Sequence, residues 1–201
     1  MVPRPKTVPD EALLAAGLEI VHRDGPAALT FSTLAGIVDL ASSTIVQRFG
    51  SKPELLRATL LHAWDRLDRD TAVALTATAD DAPGVVDLLV SLSGQYEADD
   101  YADQLVVLRE DLRDPTLRSR GEAWIATLAS GIEQRLIGAP GGSDGLGELV
   151  VAHWQGTIIV WGFTRPGPLP TFVRRSLEEL LQRLLDPMTP TTPARRTSAR
   201  S

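Results

Sequence analysis

Cysteine is absent from this chain of 201 residues, which excludes disulfide bonds, thiolate metal sites and cysteine nucleophiles. The three histidines, His22, His62 and His153, are too scattered along the sequence to indicate a metal site. The H-E-x-x-H, P-loop and G-x-S-x-G motifs of common enzyme classes are missing as well. The sequence therefore predicts a protein that is not an enzyme and that carries no metal and no cofactor.

Long apolar runs are also missing. No stretch approaches the roughly 18 consecutive apolar residues that cross a bilayer, and no signal-peptide core precedes the acidic pair Asp10 and Glu11. With 43% hydrophobic residues, the chain can nevertheless bury a substantial core. We expect a soluble, cytoplasmic protein that makes no contact with a membrane.

A general excess of positive charge is the third feature that the sequence lacks. The net charge is −6, which by itself argues against nucleic-acid binding, because phosphates are bound by Lys and Arg. From Met1 to Leu56, however, basic and acidic residues occur in nearly equal number. Any DNA binding by this segment must therefore come from its geometry rather than from its charge.

Apolar residues recur at helical spacing along almost the whole chain, without strict alternation, which predicts an all-α fold. Breakers and capping residues predict about nine helices. Their expected ranges are Asp10 to Arg23, a short helix capped by Thr30, Ala41 to Arg48, a long helix after the N-cap Ser51, Pro83 to Tyr96, Tyr101 to Arg113, Pro115 to Ile137, Leu146 to Thr164 and Pro170 to Leu185. Residues 187–201 have almost no large apolar group and predict a disordered tail.

The segment from Leu29 to Leu56 places two short amphipathic helices around a turn at Asp39 and Leu40, and ends in Phe-Gly-Ser-Lys before a longer helix. This arrangement resembles the DNA-binding domain of TetR-family transcriptional regulators. The matching residues are Gly25, Thr30, Leu34, Ala35, Thr44, Ile45, Phe49, Ser51, Lys52, Leu55 and Leu56. The resemblance implies a three-helix helix-turn-helix domain (1–52) joined through the fourth helix to a ligand-binding and dimerisation domain (53–186).

The third helix is expected to be the recognition helix. The predicted DNA contacts are Thr30, Ser42, Ser43, Thr44, Val46, Gln47, Arg48 and Lys52. Gln47 can pair with adenine through two hydrogen bonds, and Val46 can touch a thymine methyl group. Thr30 and Lys52 lie at helix N-termini, where a phosphate is readily bound.

Three positions depart from the family pattern. The family usually has Gly in the turn, Ser at the start of the third helix and Tyr near its middle, where this chain has Asp39, Ala41 and Val46. Asp39 tolerates left-handed backbone better than most residues, so the turn can be kept. The missing Tyr removes a phosphate contact, so we expect an operator that differs from the usual ones.

The helix from Leu146 to Thr164 is apolar on both sides. One stripe consists of Leu146, Leu149, Val150, His153, Trp154, Thr157, Ile158 and Trp161, and the other side carries Val151, Ala152, Ile159, Val160 and Phe163. A helix that is apolar all round must be buried all round. We therefore expect a homodimer in which this helix and the last one form a four-helix interface, with Gly156 and Gly162 permitting close approach.

The predicted effector contacts are the aromatic and polar residues of interior faces, namely Trp64, Glu110, Trp124, His153, Trp154 and Thr157. Such a set suits an organic molecule held by apolar contact and a few polar anchors. The family resemblance implies that this small molecule shifts the fourth helix, changes the spacing of the recognition helices and releases a repressor from a palindromic double-stranded DNA operator.

Two other functions stay open at this point. The nearly neutral N-terminal segment and the missing Tyr are compatible with a helical binding module that no longer binds DNA. A helical enzyme could draw on the carboxylates Asp99, Asp100, Asp103, Glu110, Asp111 and Asp114, although such residues usually form a solvated helix surface.

Overall fold

A computed structural model describes residues 8–93 and 101–186 of the chain. These residues form nine α-helices and one 3₁₀ turn, Pro26–Ala28, and contain no strand, which confirms the all-α prediction. The helices are α1 (Asp10–Asp24), α2 (Phe31–Val38), α3 (Ser42–Phe49), α4 (Lys52–Ala77), α5 (Ala82–Ser93), α6 (Tyr101–Arg113), α7 (Pro115–Leu136), α8 (Leu146–Thr164) and α9 (Leu169–Leu185). The predicted disordered tail, 187–201, and the predicted end of the fifth helix at Tyr96 lie outside the described residues.

Local capping explains where α2 and α4 begin. Thr30 accepts a hydrogen bond from the Thr33 backbone N–H at 3.0 Å. At the start of α4, Ser51 and Glu54 form a reciprocal capping box, in which the Ser51 N–H donates to the Glu54 carboxylate at 2.8 Å. Both predicted N-caps are therefore confirmed.

Three helices begin one residue away from their predicted starts, and one of them is α5, which begins at Ala82 rather than Pro83. Ala41 is extended, with φ −68° and ψ 136°, and serves as the N-cap of α3 rather than as its first residue. The last helix begins at Leu169, so Pro170 occupies its first turn, where the missing N–H of proline costs no hydrogen bond. Asp39 lies in the left-handed region, with φ 55° and ψ 48°, as the turn between α2 and α3 requires.

The buried side chains gather into two clusters. The N-terminal core joins α1 to α4 and the first turn of α7, and consists of Ile20, Val21, Leu29, Leu34, Ala35, Ile45, Leu55, Leu60 and Leu117. The second core lies between α5, α7, α8 and α9, with side chains of α4 packed against it. The fourth helix is thus shared by both cores.

Close helix contacts hold the second core together. Gly147 lets α8 pack directly on α7, since a Cβ atom there would lie 2.1 Å from the Ala129 carbonyl oxygen. The buried Arg135 guanidinium of α7 donates to the backbone carbonyls of Leu75, Ala79 and Gly131. Arg135 therefore fastens the C-terminal end of α4 to α7.

Candidate DNA-binding surface and effector cleft

The third helix presents one polar face to solvent. Its Ile45 side chain is fully buried in the N-terminal core. Ser42, Ser43, Val46 and Gln47, in contrast, are all exposed. The four predicted base contacts therefore lie on the accessible face of α3, while the opposite side of this helix packs into the N-terminal core. An exposed helix face of this kind can enter a major groove.

The two predicted basic contacts are already engaged within the chain. Arg48 Nη1 donates to the Val8 carbonyl at 2.6 Å and to the Asp10 carboxylate at 3.0 Å. Lys52 Nζ donates to the Ala27 carbonyl at 2.8 Å. The Arg48 and Lys52 side chains therefore link α3 and α4 by hydrogen bonds to the residues on either side of α1 and at its start. The sequence did not indicate this additional role.

The two predicted threonine contacts differ in their surroundings. The Thr30 hydroxyl caps α2 and lies 2.7 Å from the Thr33 hydroxyl, so the two side chains share one hydrogen bond. Thr44 is half-buried on α3. Thr44 therefore belongs to α3 itself, whereas Thr30 is already engaged in the cap of α2.

A cleft of about 650 Å³ lies between α1, α4, α6 and α8. Its lining residues are Leu18, Glu19, His22, Leu60, Ala63, Trp64, Arg66, Leu67, Asp70, Leu105, Val107, Leu108, Asp111, Gln155, Ile158 and Ile159. A mostly apolar lining with a few polar groups, and a volume in the range of roughly 300–1,000 Å³, are typical of small-molecule sites.

Asp111 is the carboxylate that the cleft places beside Trp64. The Trp64 indole Nε1–H donates to Asp111 Oδ1 at 3.2 Å. Burial raises the pKa of Asp111 to about 6, the hydrogen bond from Trp64 opposes this shift, and the charge of nearby Glu110 adds to it. Among the residues that the structure describes, no Lys, Arg or His forms an ion pair with Asp111.

Sequence reasoning selected Glu110 instead of Asp111. Glu110 does not line the cleft, and its carboxylate pairs with Arg109 at 3.2 Å. One signal could have identified Asp111: it follows Val107 by four positions and Leu108 by three, so all three share a helical face. That face is the one that α6 turns toward the cleft.

Of the three tryptophans predicted to contact a ligand, Trp64 alone lines the 650 Å³ cleft. Trp64, Trp124 and Trp154 form a row, with ring centroids 6.1 and 6.3 Å apart. The Trp124 indole donates to the Thr71 hydroxyl at 2.9 Å and borders a separate pocket of about 270 Å³. Trp154 is buried and donates to the Ser93 hydroxyl at 2.7 Å, so it belongs to the core.

His153 and Thr157 are likewise placed away from the cleft, at the contact between α8 and α9. His153 Nε2 lies 2.8 Å from the Ser176 hydroxyl, and the Thr157 hydroxyl lies 3.0 Å from the same atom. One serine of α9 thus contacts both side chains, and the Thr157 hydroxyl is also within hydrogen-bond distance of the His153 carbonyl, at 2.8 Å. The sequence pattern could not reveal this partner, because Ser176 is 23 positions from His153.

The outer face of α8 is apolar and exposed. Leu149, Val160 and Phe163 are exposed by 47, 51 and 88%, respectively. A Cβ atom added at Gly156, on the same face, would meet no atom within 4 Å. The division into two faces differs from the predicted one, because Leu149 faces outward and Val151 is buried in the core.

Neither a membrane span nor a metal cluster is found in the part of the chain that the structure describes. No described helix is long and apolar enough to cross a bilayer. Within the same residues, no group of three or more His, Asp or Glu side chains comes together as metal ligands would.

Comparison with known proteins identifies the fold. No protein-family model matches the chain, and no curated protein matches it in sequence. Many solved structures are similar to it, and three of them are described here. A transcriptional regulator from Rhodococcus sp. Rha1 has a TM-score of 0.69 at 17% identity, covering 88% of this chain and 97% of its own. A TetR-family member from Streptomyces coelicolor A3 has a TM-score of 0.63 at 20% identity, covering 86 and 98%.

The third is a protein from Saccharomonospora viridis, solved in complex with choline, with a TM-score of 0.67 at 21% identity, covering 85% of this chain and 93% of its own. The all-helical arrangement described here is thus the one found in transcriptional regulators of the TetR family.

Proposed function

We propose that this chain is a TetR-family transcriptional regulator, a repressor that binds a palindromic double-stranded DNA operator as a homodimer and is released by a small organic molecule. The observation that carries the proposal is the exposed polar face of α3, which is held by a helix-turn-helix whose first and fourth helices also form walls of the cleft. In this proposal residues 1–52 bind DNA, and residues 53–186 bind the effector and dimerise.

In the DNA complex, Gln47 pairs with an adenine and Val46 contacts a thymine methyl group, while Ser42 and Ser43 reach neighbouring base edges or phosphates. Thr30 and Thr44 provide hydroxyl groups toward the backbone. Arg48 and Lys52 mainly position α3 and α4 and add positive charge beside the phosphates, because each already donates to a group of this chain.

The dimer is supported by the outer face of α8. Exposed apolar patches of this kind typically mark protein–protein contacts. Leu149, Gly156, Val160 and Phe163 follow one another at spacings of three to seven residues along that face. A two-fold dimer built on α8 and α9 would hold two recognition helices about 34 Å apart, which is one turn of DNA.

Coupling between effector and DNA follows from the walls of the cleft. Leu18, Glu19 and His22 belong to α1, and Trp64 and Leu67 belong to α4, so a bound molecule contacts two helices that support α3. A ligand shifts this equilibrium by as much as its affinities for the two arrangements differ. The choline bound to the similar protein from Saccharomonospora viridis supports a small organic effector.

A gel shift tests this function. The full-length protein is titrated onto the intergenic DNA beside its own gene at several salt concentrations, because the salt dependence counts phosphate contacts. Because each subunit of the dimer contributes one Gln47, the Gln47→Ala variant should bind the operator at least about thirtyfold more weakly, given about 1–3 kcal/mol for each two-bond base contact. Gln134→Ala, which removes an exposed glutamine of α7, is the matched control and should bind like the wild type.

No shift at low salt would contradict the regulator and favour a helical binding module that has lost DNA binding. Equal affinity of both glutamine variants would instead refute base recognition by Gln47. Neither result depends on knowing the effector.

A further inference from the structure

The cleft contains a carboxylate without a countercharge. Asp111 is half-buried, and the hydrogen bond from the Trp64 indole at 3.2 Å is its polar contact in the described part of the chain. A buried carboxylate is normally paired with a cation or held by several hydrogen bonds, since the loss of its hydration is otherwise uncompensated. One neutral N–H group provides only part of that compensation.

The other charged groups of the cleft do not supply the missing cation. On α4, Arg66 Nε lies 3.7 Å from the Asp70 carboxylate, so its charge is already offset within the same helix. On α1, Glu19 and His22 face the cleft, and α8 contributes the uncharged Gln155. Among the described lining residues, three carboxylates, those of Glu19, Asp70 and Asp111, outnumber the single guanidinium of Arg66.

The remaining surface is apolar and aromatic. Leu18, Leu67, Leu108 and Ile158 contribute aliphatic surface from α1, α4, α6 and α8, respectively. Trp64 adds an indole ring, and tryptophan attracts cations more strongly than the other aromatic side chains do. A quaternary ammonium or phosphonium ion suits this surrounding, because it carries charge without needing hydrogen-bond acceptors around it.

We infer that the effector of this cleft is a lipophilic organic cation, whose charge lies against Asp111 and whose apolar groups contact Trp64 and the aliphatic wall. This inference rests on the proposed role of the cleft as the effector site and adds the chemical class of its ligand. The rise of the Asp111 pKa agrees with it, since a bound cation would offset the cost of burying the charged carboxylate.

Isothermal titration calorimetry of the full-length protein at pH 8 tests the inference with two ions of the same shape and opposite charge, tetraphenylphosphonium and tetraphenylborate. We expect the phosphonium to bind at least tenfold more tightly. Asp111→Asn should weaken phosphonium binding at least tenfold and leave borate binding unchanged or stronger, since asparagine keeps an oxygen acceptor for the Trp64 indole.

Asp87→Asn is the matched control. It removes the same charge from an exposed site on α5, where Asp87 pairs with Arg174 away from the cleft. If the protein's overall negative charge caused the preference, both variants would reduce phosphonium binding alike, and that result would overturn the inference. Equal affinity for the two ions, or no phosphonium binding at millimolar concentration, would overturn it as well.

Failure of this inference and failure of the regulator proposal are distinguishable, because the calorimetric experiment contains no DNA. A protein that shifts operator DNA but does not distinguish the two ions refutes the cationic ligand alone. A protein that binds the phosphonium through Asp111 but shifts no DNA retains the cation site and refutes the regulator.

Discussion

Asp111→Asn is expected to stabilise the protein near neutral pH. In the folded state burial raises the pKa of this carboxyl from 3.8 to about 6, and the described residues offer it no cation. A rise of this size, at about 1.36 kcal/mol for each pH unit, sets a ceiling of about 3 kcal/mol on the free-energy cost of the buried charge. Because the carboxyl is partly open to the cleft, solvent screening lowers this to about 1 kcal/mol.

The sign of the effect gives it a characteristic pH dependence. The folded-state pKa of Asp111 lies above its unfolded-state value, so folding favours the protonated carboxyl. The free-energy cost of burying the charged carboxylate is therefore absent below pH 3.8 and complete above about pH 6. The variant should therefore be more stable than the wild type by about 1 kcal/mol at pH 7.5. This advantage should disappear as the pH falls to 4.

Urea denaturation at a fixed protein concentration measures this difference, since self-association makes apparent stability depend on concentration. Asp87→Asn serves again as the control and should change the unfolding free energy by less than about 0.5 kcal/mol, as is usual for surface substitutions. If Asp111→Asn raised the unfolding free energy equally at pH 4 and at pH 7.5, the buried-charge explanation would be refuted. A loss of stability at pH 7.5 would refute it as well, because it would mean that the carboxylate stabilises the fold.

Two further substitutions test the packing of the second core and the outer face of α8. Arg135→Met should lower the unfolding free energy by about 3 kcal/mol, because it removes the donor to three backbone carbonyls. The control Arg174→Met, on the exposed face of α9, should change the unfolding free energy by less than about 1 kcal/mol. Equal losses for the two variants in urea denaturation would contradict a special role for Arg135. Phe163→Glu should convert the protein to a monomer in size-exclusion chromatography with light scattering, because it places a charge in the proposed interface. The control Val73→Glu, at another exposed apolar residue, should leave the dimer intact. A dimer that survives Phe163→Glu would place the interface elsewhere.

The sequence alone determined the helices, because the signals that start and end them are local. Thr30 caps α2 through a residue three positions away, and Ser51 and Glu54 close the first turn of α4 over the same distance. The outward face of α3 followed from the same reasoning, since Ile45 must be buried and helical periodicity then turns Gln47 to solvent. These features depend on the spacing of residues within a few turns.

The tertiary structure decided which groups meet across the chain. Arg48 and Lys52 bind partners 40 and 25 positions away, and the rotation of α6 turned Asp111, rather than its neighbour Glu110, toward Trp64. One residue along a helix corresponds to a turn of about 100°, so amphipathic pattern alone does not distinguish adjacent carboxylates on a half-exposed helix. That choice depends on how α6 packs against α1, α4 and α7, and long-range packing of this kind is not encoded in any single segment.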